Sequence, residues 1–159
     1  MTRGHAGDGW SPALGGGATL VVGHDGHAGS DLALSTAAVL AGRLGVQMHV
    51  VHAVTGEDYG IDPDTEDFER VRDRNLVAER ERITGVLAGT TVIWTYHEGS
   101  GEPARCLARF GRELDAVFIV VGVSHRGLFR HALSGEVSKH LLHEQGRPIL
   151  VVPDGHHQR

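Results

Sequence analysis

Two glycine-punctuated stretches hold the residue types that could do chemistry in this chain. The longer, GVSHRGLFRHALSGEVSKHLL (122–142), lies between the apolar runs AVFIVV and PILVV. Backbone N–H groups in a glycine-rich turn that opens a helix can cradle a phosphate or another anion. The shorter, GHDGHAGS (23–30), follows the apolar run ATLVV and brings His24, Asp25 and His27 together. Imidazole and carboxylate can bind a transition metal, and His140 and His143, three apart on a helix, offer a second such pair. Neither cluster reproduces a full ligand set, and scattered surface histidines are the simpler reading. The patterns of covalent and phosphoryl-transfer catalysis are missing: there is no nucleophile elbow and no P-loop, and no base is identifiable beside Ser124 or Ser134. Both serines read as loop hydroxyls. Asp25 could hold a magnesium-bound nucleotide, but hydrolysis also needs a positioned water, for which no residue is evident.

The elements that must position these loops follow from the apolar pattern. Short Val- and Ile-rich runs at 18–23, 46–54, 90–97, 116–122 and 148–153 read as strands, and helical patterns separate them. Continuous apolar strands alternating with helices imply a parallel sheet covered on both faces. The first helix is expected over 30–44, with Ser30 as N-cap, Ala33, Ala37, Leu40, Ala41 and Leu44 inward, and Gly45 as the stop. The second, over 65–88, carries Phe68, Val71, Ile83 and Leu87 among many charges. Those charges read as a solvated outer face, with Glu66 and Arg70 spaced to pair. The third begins near Pro103 and turns Ala104, Leu107, Ala108 and Leu114 inward, leaving Cys106 as a small buried or half-buried filler. The fourth, over 135–144, buries Val137 and Leu141. Right-handed crossovers then give a Rossmann-like, open, twisted five-stranded α/β sheet of order 3-2-1-4-5. Ligands of such sheets bind at the carboxyl ends of the strands near the switch between the first and fourth, where both glycine-rich stretches fall.

A chain of 159 residues with net charge −5 suits one domain and gives no basic footprint for nucleic acid. One cysteine supports neither an internal disulfide nor a cysteine-rich metal site. No apolar run approaches the roughly 18 residues needed to cross a bilayer, so a cytoplasmic protein without membrane contact is expected. Residues 1–17 contain six glycines and read as a mobile tail in which Trp10 packs casually or serves as a docking handle. The domain is expected over 18–153, with 154–159 as a second tail.

Taken together, VVGHDGHAGSDLAL, VHAV and VVGVSHRG…LSGEVSKHLLHEQGRPILVVP resemble the universal stress protein family over about 18–153. The resemblance implies a stress-response protein and, for ATP-binding members, a loop of the form G-x2-G-x9-G-(Ser/Thr). It places Asp25 at the adenosine, the backbone of Ala53 at the adenine, and Gly122, Ser124, Gly135 and the amides near Val137 around the phosphates. Here His125 stands at the second glycine position and Glu136 at the Ser/Thr position, with the spacing intact. His125 either obstructs the loop or points outward, or else its protonated ring meets a phosphate. Glu136 is an acceptor that repels an anion and suits the first turn of a helix; it either occupies the anion site itself or swings into solvent. Weak or absent ATP binding is therefore expected, in a non-enzymatic binding module. The alternatives are an ATP-binding member with slow ATPase or phosphotransfer activity, and a histidine-based metal sensor. An apolar edge strand at PILVV implies a homodimer, as members of the family commonly pair it across a twofold axis.

Overall fold

The computed structural model describes residues 17–54, 66–123, 147–153 and 155. In chain order these form β1 (Thr19–Gly23), α1 (Ala28–Leu44), β2 (Gln47–Val54), α2 (Glu66–Val86), β3 (Trp94–Ser100), α3 (Pro103–Glu113), β4 (Ala116–Gly122) and β5 (Ile149–Val152). The expected fourth helix and most of both expected tails fall outside the described residues.

All pairings are parallel, in the order β3-β2-β1-β4-β5. The central strands β1 and β4 are apolar and almost wholly buried, as two-sided coverage requires. Alternation along the strands divides the interior into two cores. Leu20, Val22, Met48 and Val50 pack with Ala33, Leu34 and Ala37 of α1 and Ile83 of α2. Val21, Val51, Ala53, Ile119 and Val121 face Ala104, Leu107 and Ala108 of α3 on the opposite side. Cys106 is buried in this second core, and burial pushes its thiol pKa up, which suits a filler rather than a nucleophile.

Four differences from the sequence expectations bear on the site. The N-cap of α1 is His27, not Ser30. The cause is local: Asp25 Oδ1 accepts from the His27 N–H at 3.1 Å, which turns the chain into the helix early. Ser30 instead sits inside the first turn, donating to His27 O at 2.8 Å and accepting from the Asp25 N–H at 3.3 Å. The helix stops as expected at Gly45, whose φ of 67° is left-handed, and Leu44 is exposed rather than inward. Strand β3 begins at Trp94 rather than near residue 90, because its register is set by β2, from Met48↔Trp94 to Val54↔Ser100. Finally, the charges of α2 are not all solvated, although Arg70 bonds to Asp67 on its surface. Glu79 is buried at 8 % exposure.

Candidate functional site

Glu79 enters the interior because it lies on the apolar stripe of α2, three residues after Leu76 and four before Ile83, both buried. A carboxylate there needs partners, and the strand ends supply them. Glu79 Oε1 lies 2.9 Å from Nδ1 of His24, the residue after β1, and Oε2 lies 2.8 Å from Nδ1 of His52 near the end of β2. The other nitrogen of His24, Nε2, is 2.9 Å from Asp31 Oδ1 on α1. Arg82, one turn beyond Glu79, donates from Nε to both Asp31 oxygens at 3.0 and 2.9 Å. His24 is completely buried with a carboxylate at each ring nitrogen, and the Gly26 N–H lies 3.3 Å from its Nδ1. The His52 Nδ1–H faces Glu79 and also lies 3.1 Å from the His24 carbonyl.

Charge balance in this network favours ionised carboxylates. Burial pushes the Glu79 pKa up, but hydrogen bonds from His24 and His52 outweigh it and hold the group below the ordinary glutamate value. For Asp31, burial is likewise outweighed by Arg82 and His24, and the Asp31 bond raises Arg82 in turn.

Beside the network, a crevice of 390 Å³ opens between the loop after β1, the end of β2 and the middle turns of α2. Its walls are Asp25, Gly26, His27 and His52 on the strand side and Asn75, Ala78, Glu79 and Arg82 on the helix side. Asp25 is the sequence-expected ligand residue that it contains. The Asp25 side chain is only 1 % exposed, its Oδ1 takes the His27 N–H, and its Oδ2 is buried with no hydrogen-bond partner among the described residues. An ionisable oxygen buried without a donor is costly, and such costs are kept where a ligand can offset them.

The other expected residues divide between two places. Ala53 is buried on the face covered by α3, and Gly122 closes β4 against the start of α1. Neither is among the described walls of the crevice. Ser124, His125, Gly135, Glu136 and Val137 lie outside the described residues, as do His140 and His143. Among the described residues, no three His, Cys, Asp or Glu side chains form a group able to hold a metal ion. His27 Nδ1 lies 3.3 Å from Asp25 Oδ1, but the His24 ring turns away toward Glu79 and Asp31, so the three do not share a centre.

A second histidine pair lies on the other face, with His49 Nδ1 2.8 Å from His97 Nε2 across β2 and β3. Burial lowers the pKa of both rings, and for His49 the neighbouring ring adds to the effect. Folded-state values below the unfolded 6.5 mean that stability is full above pH 6.5 and declines as pH falls below it. Thermal melts from pH 8 to 5 are expected to show this decline, and the double substitution His49→Gln, His97→Gln should flatten it. A slope unchanged by the substitution would assign it to other groups.

Residues 18–153 match the family model named Usp, universal stress protein family. No curated protein matches the sequence. Among solved structures, the chain is similar to a protein of the universal stress protein family from Burkholderia pseudomallei. The two share 22 % identity at a TM-score of 0.64, over 90 % of this chain and 99 % of that one. It is also similar to the universal stress protein from Archaeoglobus fulgidus in complex with dAMP, at 18 % identity and TM-score 0.60, over 85 % and 97 %. A universal stress protein in complex with cAMP aligns at 19 % identity and TM-score 0.58, over 86 % and 96 %. At these identities the likeness speaks to the fold. In the order of strands and in the helices on both faces, that fold agrees with the sequence expectation.

Proposed function

Because the chain belongs to the universal stress protein family, we propose that it is a cytoplasmic, non-enzymatic stress-response module that binds an adenine nucleotide at Asp25. The observation that carries this reading is the buried Oδ2 of Asp25, without a hydrogen-bond partner among the described residues, just past the carboxyl end of β1 and beside a crevice walled by that loop, β2 and α2. A ribose hydroxyl would supply the missing donor. Structures similar to this one hold dAMP and cAMP, which makes an adenine nucleotide the natural ligand class. In this reading the Ala53 backbone meets the adenine, and Gly122, Ser124, Gly135 and the amides near Val137 flank the phosphates. His125 and Glu136 weaken the grip on a triphosphate, Glu136 by placing a carboxylate beside it. ATP is then a poor ligand compared with AMP.

Titration with ATP and magnesium, followed by both heat and phosphate release, tests this directly. Weak heat and no phosphate release are expected. Submicromolar affinity for ATP would remove the proposed role of Glu136, and steady phosphate release would make the protein an ATPase.

The same reading includes a homodimer paired through β5. This strand occupies the sheet edge, with Leu150 and Val151 more than a third exposed, and an open apolar edge is normally covered. Light scattering at micromolar concentration is expected to give a dimer, and Val151→Lys a monomer. A wild-type monomer would exclude the pairing.

A further inference from the structure

The network around Glu79 does more than neutralise buried charge. We propose that Glu79 is a positioning residue of the ligand pocket: by bonding His24 and His52 at once, it fixes the backbone that carries Asp25 and sets the spacing between the strand ends and α2. This inference rests on the nucleotide reading of Asp25.

The geometry supports it from both sides of the crevice. His24 directly precedes Asp25, its N–H donates to Val51 O of β2 at 3.0 Å, and its carbonyl lies 3.1 Å from His52 Nδ1. Its ring is clamped by Glu79 on one side and Asp31 on the other. Asp25 follows with its N–H on the Ser30 hydroxyl and its Oδ1 on the His27 N–H. The His24 bonds to Val51 and His52 thus pass through the strand ends that Glu79 joins, whereas Asp31, Ser30 and His27 tie the loop to the start of α1. On the opposite wall, Asn75, Ala78 and Arg82 share α2 with Glu79, so the bonds that seat Glu79 also hold that wall at its distance from Asp25. Glutamate suits the position because each of its two oxygens takes one histidine donor. Glutamine has one accepting oxygen and one donating amide, so it cannot receive both rings.

A positioning role differs from a purely electrostatic one in a measurable way. Repositioning Asp25 affects every ligand that uses it, whereas removing a negative charge near the pocket favours ligands rich in negative charge. Calorimetric titration of wild type and Glu79→Gln with adenosine and with magnesium ATP separates the two. Glu79→Gln is expected to lower the affinity for both by a similar factor, about tenfold. His52→Phe, which breaks one of the two bonds and leaves Glu79 charged, should lower both as well, and stands in if Glu79→Gln does not fold. His52→Asn, whose amide nitrogen stands where Nδ1 does, should restore most of the affinity. Nitrogen NMR of the imidazoles should show His52 protonated at Nδ1 in the wild type and altered in Glu79→Gln.

Unchanged affinities in Glu79→Gln, or an ATP affinity that rises while adenosine is unaffected, would overturn the positioning role and leave nucleotide binding standing. Absence of wild-type binding to both adenosine and magnesium ATP would overturn the nucleotide reading and this inference together.

Discussion

Replacing His24 by alanine is expected to lower the melting temperature by about 10 °C, more than any surface charge substitution in the chain. The ring is fully buried and bonded to Glu79 and Asp31 at 2.9 Å each. Removing a partner of a buried carboxylate typically costs roughly 3–5 kcal/mol, because the carboxylate charge stays desolvated. Glu79 keeps His52 and Asp31 keeps Arg82, so the low end of that range, about 3 kcal/mol, applies. For a chain of this size each kcal/mol moves the melting point by roughly 2–4 °C. Asp67→Ala is the contrast: its bond to Arg70 is on the surface, where ion pairs contribute at most about 1 kcal/mol, and little change is expected. The network also sets an acid limit. Glu79 and Asp31 titrate below their ordinary values in the folded protein, so their stabilisation is complete above the usual carboxylate range and is lost as pH falls through the lowered values. A melting point for His24→Ala within a few degrees of wild type would mean that the carboxylates find other partners.

The second large effect is expected at Gly122. The residue was singled out in the sequence as part of a phosphate loop, and in the structure it also has a packing role. A Cβ built there would lie 2.2 Å from the Gly29 carbonyl oxygen, 2.7 Å from its carbon and 3.1 Å from Ser30 N. These are backbone atoms in the first turn of α1, so no side chain can swing aside to make room. Forcing extra volume into such a contact costs roughly 1–3 kcal/mol, and Gly122→Ala should fall at the upper end, measurable as a lower melting point without any ligand. Ser30 also braces the Asp25 N–H, so displacement of that turn should weaken nucleotide binding too. If Gly122→Ala melts like the wild type, the glycine serves the ligand alone.

The legible part of the fold was the part whose residues are buried on two faces. The apolar runs of β1, β2 and β4 matched the observed strands within one residue, because a continuous Val- and Ile-rich run has no other comfortable environment, and the edge strand β5 was equally legible from its apolar run although half exposed. Strand β3 is an edge strand with the sequence WTYHEGS, and only its pairing with β2 fixes its start. Before it, Val92 packs partly on the core and Ile93 is exposed, so the apolar run starts earlier than the strand. Asp25 was singled out through the family resemblance, and the structure places it on the wall of the crevice. Glu79 was missed although its signal was present: a carboxylate on the stripe Leu76–Ile83 must find donors inside. What the sequence could not reveal was their identity, since His24, His52, Asp31 and Glu79 come from four separate elements and meet only once the sheet and helices are packed.

The central claim is that Asp25 receives a nucleotide, and the most direct measurement is a crystal structure of the protein soaked with AMP, paired with the Asp25→Ala variant under the same conditions. In the wild type, the account predicts density for the nucleoside within hydrogen-bond distance of the Asp25 carboxylate, next to the crevice walled by His52 and Glu79, and none in the variant. Density that avoids Asp25, or that persists unchanged in Asp25→Ala, would contradict it.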